Sequence, residues 1–256
     1  MKLYYRHFGQ GTPLIVIHGL FGSSDNWLTV CKSFTSQHSV YLLDMRNHGQ
    51  SPHSTEHNYA LMAADVYEFV HEHNLKNVIL LGHSMGGKVV MKYLEKYSAN
   101  VLKAVIVDIS PRYYAPHHSR EIEALLSIPL HNIGSRQEAD DIMARKIPEI
   151  GVRQFLLKGL YRNDSGLFAW RFNLNTIINE INNIGEATTY DTKCQTDTLF
   201  VRGENSKYIQ PHDLETINDN FAHYLVVTIP LSGHWVQADQ PILFTEAVNK
   251  FISNNI

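Results

Sequence analysis

The sequence is poor in cysteine, in charge of one sign and in long apolar runs, and each shortage excludes something. Cys31 and Cys194 are its two cysteines in 256 residues, too few for a disulfide framework, and they read as reduced, inert thiols. A chain of this length buries roughly three quarters of the surface its unfolded form exposes, so it needs neither disulfides nor a structural metal. Apolar runs such as Leu14 to Ile17 and Val78 to Leu81 are strand-sized, far below the roughly 20 residues that cross a bilayer. The first residues, Met1-Lys2-Leu3-Tyr4-Tyr5-Arg6-His7, turn polar before a signal-peptide core develops. A soluble, cytoplasmic protein without stable membrane insertion is the expectation.

Net charge is -3 and no Lys/Arg run occurs, so no cationic field is available for a phosphate backbone and nucleic acid is not expected as a partner. There is no H-E-x-x-H, and His71-Glu72-His73 lacks partners at ligand spacing. No metal and no cofactor are expected.

What is present is an alternation. Apolar, β-branched runs at Leu14 to Ile17, Val40 to Leu43, Val78 to Leu81, Ala104 to Val107, Leu199 to Val201 and Leu225 to Ile229 read as buried strands. Helical patterns separate them at Tyr59 to Val70, Met85 to Tyr97 and Ile242 to Ile252. The pattern predicts an α/β fold with a mainly parallel central sheet and helices on both faces. It breaks between Ser110 and about Thr192, which suggests a core of residues 1–110 and 192–256 with a helical cap, 111–191, inserted in it. Within the cap, Ser135-Arg-Gln-Glu138 fits a capping box opening a helix to Ile147, stopped by Pro148. The tail Ser253 to Ile256 is expected to fray.

Gly82-His83-Ser84-Met85-Gly86 carries the strongest chemical signal, because this G-x-S-x-G follows an apolar strand and opens a helix. Such a turn is too sharp for side chains two positions either side of the serine, and glycine stands at both. Ser84 is the candidate nucleophile. A serine hydroxyl needs a neighbouring base, and of fifteen histidines His234 follows the last strand in a short loop, on the edge that parallel strands share with Ser84. His83 reads as a packing neighbour, and His117 and His118 as loop residues.

A carboxylate must orient that base. Asp108 ends the strand Ala104 to Val107 on the correct edge and gives the order Ser, Asp, His. The loop after the penultimate strand reads Gly203-Glu204-Asn205-Ser206, with Ser206 where an Asp would be expected and Glu204 as the rival acid. The oxyanion requires two preorganised donors: the Met85 amide, and the Leu20 amide or, alternatively, that of Phe21, in His18-Gly19-Leu20-Phe21-Gly22. His18 is expected to brace this loop. Arg46 reads as one half of a buried ion pair in preference to a substrate clamp. Phe21, Trp170, Phe172, Phe155, Leu156, Leu125 and Leu126 are candidate pocket residues.

His18 to Ser23 with Asn26-Trp27, Asp44 to Gly49, Gly82 to Lys88, Asp108-Ile-Ser-Pro111, Trp170-Arg-Phe-Asn173 and Arg202 to Ser206 together resemble the bacterial YbfF-type esterases of the α/β-hydrolase superfamily and their mitochondrial abhydrolase relatives. The resemblance implies hydrolysis of short to medium acyl esters, extending to acyl-coenzyme A thioesters. It also implies an acid after the earlier strand, at Asp108. Glu204 departs from the family's second glycine after Gly203 and keeps the rival acid open. For the thioesterase alternative, Arg112, Arg120 and Lys146 are the candidates to meet coenzyme phosphates. An alternative of another class, a non-catalytic ligand-binding protein on a hydrolase scaffold, is opposed by the complete nucleophile, base and acid. Dehalogenase or epoxide-hydrolase chemistry needs a carboxylate where Ser84 stands. The expected partner is a small acyl ester or thioester.

Overall fold

A computed structural model describes residues 1–253, so 254–256 of the tail lie outside the described residues, while Ser253 closes the last helix. The chain opens with β1 (Tyr5–Phe8), β2 (Thr12–Ile17), a short α1 (Leu28–Cys31) and β3 (His38–Leu43), then α2 (Tyr59–Glu72), β4 (Val78–His83), α3 (Met85–Tyr97) and β5 (Val101–Val107). After β5 come α4 (Ser119–Leu126), α5 (Arg136–Ala144), α6 (Ile150–Leu157), β6 (Leu160–Arg162), β7 (Phe168–Trp170) and α7 (Leu174–Asn179). It closes with β8 (Asp197–Gly203), α8 (Asp213–Asn220), β9 (Tyr224–Ile229), a short α9 (Val236–Asp239) and α10 (Pro241–Ser253).

Seven strands form one sheet in the order β1-β3-β2-β4-β5-β8-β9, parallel except where β1 pairs antiparallel with β3. The period of two along each strand sorts the core into two faces. Ile15, Ile17, Leu80, Ala104, Ile106 and Phe200 pack on one side with Met62 and Val66 of α2 and Val89 and Val90 of α3. Leu14, Val16, Leu81, Val105, Val107 and Val201 pack on the other with Trp27, Phe34 and the α10 residues Phe244, Val248 and Phe251. Central β4 is buried at every position, as a parallel strand covered on both faces must be. The edges differ from expectation. β1 was not signalled, because its mostly exposed Tyr-Arg-His-Phe run lacks an apolar stretch and is held through its backbone. β9 is a half-exposed edge strand, not a fully buried one.

Segment 111–191 adds no strand to this sheet, but it is not purely helical: β6 and β7 form an antiparallel hairpin. Three-residue strands are too short to show an alternation. Ser135 caps α5 by accepting the Glu138 amide at 3.1 Å. The Glu138 carboxylate accepts the Gly134 amide at 2.8 Å, one residue before the cap, so the box is displaced, and α5 ends at Ala144, short of Ile147.

The two ends of this segment meet over α3. Tyr114 N donates to Gly185 O and Thr188 N to Pro111 O, each at 2.8 Å. Lys88 of α3 lies wholly inside the protein, and its Nζ donates to Pro111 O (2.9 Å), Arg112 O (2.6 Å) and Glu186 O (2.9 Å). Burial pulls its pKa down to about 7. Lys88→Met should therefore leave the Arg112 and Glu186 carbonyls without this donor, Pro111 O keeping the Thr188 amide, and lower the unfolding free energy by about 2–4 kcal/mol. It should also speed proteolysis within 111–191. Urea midpoints and limited digestion check this, and a variant matching the parent in both would show that the clasp is dispensable.

Candidate active site

The turn from β4 to α3 holds Ser84 at φ 54° and ψ -118°, a conformation that costs a non-glycine residue about 1–3 kcal/mol. Its amide donates to Val107 O of the neighbouring strand at 3.0 Å. Glycines permit the close approach: a Cβ at Gly82 would lie 2.2 Å from Gly86 O, and one at Gly86 would lie 2.4 Å from Ile17 O. The Ser84 hydroxyl is thereby presented at the carboxyl edge of the sheet, at the N-terminus of α3.

His234 and Asp108 reach the same point from the ends of β9 and β5. His234 Nε2 is 3.0 Å from Ser84 Oγ, and its Nδ1 is 2.8 Å from Asp108 Oδ2. Asp108 has no exposed surface. Its Oδ1 accepts the Gly203 amide at 3.0 Å, and its Oδ2 also accepts the Ser206 hydroxyl. Ser206 is thus a donor to the carboxylate. Glu204 points elsewhere, accepting the exposed Leu231 amide at 2.9 Å. The imidazole is held on both sides: Tyr208 stacks on it with ring centroids 3.9 Å apart and planes 18° apart, while the His83 ring lies 4.7 Å away. His83 Nε2 donates to His234 O at 2.8 Å, and burial holds that ring neutral, far below the ordinary histidine range.

The loop after β2 is fixed by two more neutral histidines. Met45 N donates to His18 Nε2 at 3.0 Å, so the His18 Nδ1 proton goes to Gly19 O at 2.8 Å. Phe21, at φ 61°, donates its amide to His48 Nε2 at 3.2 Å, and His48 Nδ1 donates to Arg46 O at 3.0 Å. The Phe21 amide is therefore committed. Among the described residues the amides of Leu20 and Met85 have no acceptor. Asp44 supports the same loop by accepting Ser24 N (2.6 Å) and Gln50 N (2.8 Å). Arg46 lies in a buried ion pair with Asp65, at 2.6 and 2.9 Å.

A cleft opens beside Ser84 and His234, walled by Phe21, by His117, His118 and Glu121 around the start of α4, by Val152, Phe155 and Leu156 of α6, and by Tyr208 and Trp235. Of the candidate pocket residues, Phe21, Phe155 and Leu156 line it. Trp170, Phe172 and Leu125 do not: they are core residues, with Trp170 stacked on Phe172 at 5.1 Å and Phe172 edge-on to Phe21 at 5.2 Å. Leu126 is 58% exposed on α4. Among the described residues there is no cluster of three or more His, Cys, Asp or Glu able to hold a metal, and no helix long and apolar enough to cross a membrane.

Residues 12–130 match the family model of the α/β-hydrolase fold. The chain is 30% identical to esterase YbfF of Escherichia coli, covering 96% of this chain and 94% of that one. It is 34% identical to an sn-1-specific diacylglycerol lipase of Danio rerio, over 95% of this chain and 79% of that protein. The solved structure of a marine microorganism esterase superposes with a TM-score of 0.95 at 38% identity, covering 98% of this chain and 99% of that one. The chain belongs to the YbfF-type esterases of the α/β-hydrolase superfamily.

Several residues of this esterase's cleft escape sequence reasoning. Tyr208 lies two residues beyond the Arg202 to Ser206 block and Trp235 directly after His234, so proximity to a motif was their available signal. His117, His118 and Glu121 sit in a stretch with no strand or motif, and their place in the cleft follows from how 111–191 returns over the sheet edge.

The buried histidines make stability depend on pH. His18 is pulled down to about 4 by burial, and His48 to about 3 by burial and then by neighbouring His18, from an ordinary 6.5. His57, His83 and His118 are lowered as well, in each case chiefly by burial. As pH falls below 6.5 the unfolded chain binds protons that the folded chain refuses, so stability is full above 6.5 and is lost toward pH 4 and 3. Each such histidine contributes a slope of about 1.4 kcal/mol per pH unit within that window. Urea unfolding at stepped pH should give a slope above that of a single histidine; a flat profile would mean the folded protein protonates these rings.

Proposed function

We propose that this chain hydrolyses short to medium acyl esters through a Ser84-His234-Asp108 triad. The continuous hydrogen-bond path from the Ser84 hydroxyl through both nitrogens of His234 to buried Asp108 carries the proposal. His234 Nε2 takes the Ser84 proton as Oγ attacks the acyl carbonyl. The amides of Met85 and Leu20 receive the oxyanion, where preorganised donors act most strongly because they need no reorientation. His234 then gives the proton to the departing alcohol, and water attacks the acyl-enzyme by the same route to release the acid. Asp108 fixes the His234 tautomer and stabilises the imidazolium.

The division into a core of residues 1–110 and 192–256 and a substrate-covering cap of 111–191 belongs to the same proposal, supported by the cap residues that wall the cleft. The apolar face of Phe21, Val152, Phe155 and Leu156 suits an acyl chain. A coenzyme A thioester draws no support from the three basic residues considered for its phosphates, because each already faces a carboxylate. Arg112 lies 2.7 Å from Asp213, Arg120 3.2 Å from Glu149 and Lys146 3.0 Å from Glu123.

Ser84→Ala should fold normally and lower kcat by about 10⁶, and it should lose labelling by a fluorophosphonate probe. Retention of activity within about tenfold would remove Ser84 from the mechanism. Asp108→Asn should keep the fold and lower kcat by up to about 10⁴, while Glu204→Gln stays near the parent. Steady-state kinetics with thermal melts decide between the acids: the opposite pattern would assign the role to Glu204.

A further inference from the structure

The cleft beside Ser84 carries one acidic side chain and no basic one. Glu121 of α4 is a wall residue, and neither lysine nor arginine is among the residues that line the cavity. Arg120, on the same helix, pairs with Glu121 at 3.7 Å, but it is 48% exposed and shared with Glu149, which it approaches more closely, at 3.2 Å, so water screens its effect on the cleft. The imidazoles facing the space have partners or environments of their own. His118 is held neutral, its pKa pulled down to about 3 mainly by burial. His117 directs Nε2 to the Tyr208 hydroxyl at 2.5 Å, and His234 is engaged with Ser84 and Asp108. The α6 residues Val152, Phe155 and Leu156 give the same cavity an apolar surface. A molecule bound beside Ser84 thus shares the cavity with a hydrocarbon surface and one carboxylate.

We propose that Glu121 is a specificity residue that makes the cleft reject esters bearing a carboxylate or phosphate on the bound portion, so that this enzyme's substrates are neutral or cationic esters. The proposal rests on the esterase reading above and adds the charge of the substrate to it. Two like charges less than a Debye length apart near a protein surface repel strongly enough to cost a factor of about ten or more in binding. That repulsion acts on substrate and transition state alike, so it belongs in KM more than in kcat. An ammonium or a hydroxyl donor in the same place would be favoured.

The test pairs substrates that differ only in charge. On the acyl side, para-nitrophenyl valerate is compared with the mono-para-nitrophenyl ester of glutarate. On the alcohol side, para-carbamoylphenyl valerate is compared with para-carboxyphenyl valerate. The parent should prefer the neutral member by about tenfold or more in kcat/KM on at least one side. Glu121→Gln should collapse that preference, Glu121→Lys should reverse it, and added salt should weaken it in the parent but not in Glu121→Gln. A parent preference below about twofold on both sides, or one that survives in Glu121→Gln, overturns the assignment. Binding of valeramide and of glutarate monoamide to Ser84→Ala, followed by tryptophan fluorescence, measures the same discrimination without turnover. Charge preference in binding with no hydrolysis of any ester by the parent would overturn the esterase reading while upholding Glu121. Hydrolysis without charge preference would do the reverse.

Discussion

A carboxylate with no exposed surface has to be held by donors, and Asp108 is the point on which the geometry of this site depends. Its donors come from two other chain segments, the Gly203 amide and Ser206 hydroxyl in the turn that ends β8 and His234 Nδ1 after β9. A buried charge is tolerated when its lone pairs are filled, so the same bonds that satisfy Asp108 fix three loops relative to one another. Asp108 is itself anchored to the sheet, its amide donating to Val201 O at 2.8 Å while its backbone turns at φ 52°. Orientation of the imidazole is therefore a consequence of how the carboxylate is made tolerable inside the protein.

The loop opposite is organised by the reverse device, neutral rings in place of a charge. Each of His18 and His48 accepts a backbone proton at Nε2 and donates from Nδ1, a pattern that only an uncharged imidazole can satisfy. By occupying the Phe21 amide, His48 leaves the Leu20 amide without an acceptor, next to that of Met85. The polar turn Asp44 to Gly49, which looks like a surface feature in the sequence, is a buried support for this loop through Asp44 and His48. Asn173 extends the support across to 111–191, its amide donating to Asn47 O at 2.8 Å.

Where the sequence was legible, short-range physics was at work. The elbow required glycine at two fixed offsets from Ser84, the apolar runs of β2, β3, β4, β5 and β8 were long enough to declare themselves buried, and parallel strands necessarily brought their following loops to one edge. Those constraints sufficed to place Ser84, Asp108 and His234 within reach of one another. The readings that failed depend on contacts far apart in the chain. β1 exists because its backbone pairs with β3, and the hairpin β6-β7 is too short for a periodic signal. Trp170 and Phe172 looked like pocket residues because large aromatics serve equally as core, and only the packing against Phe21 distinguishes the two. Tyr208 stacks on His234 from 26 residues away in the chain, and its nearness to the Arg202 to Ser206 block was the available hint.

On the proposed division, the sheet and segment 111–191 contribute different residues to one cleft. In the proposed reaction the sheet edge supplies the reacting groups, each held by strand ends and buried hydrogen bonds. Segment 111–191 supplies His117, His118 and Glu121 around the start of α4 and Val152, Phe155 and Leu156 of α6. That arrangement works only if the insertion keeps its register with Ser84, and the register is set beside the elbow: Lys88, one turn along α3 from the nucleophile, bonds to carbonyls at both ends of the inserted chain. The helix that presents the serine hydroxyl therefore also ties down both ends of the segment whose middle, on α4 and α6, faces the cleft.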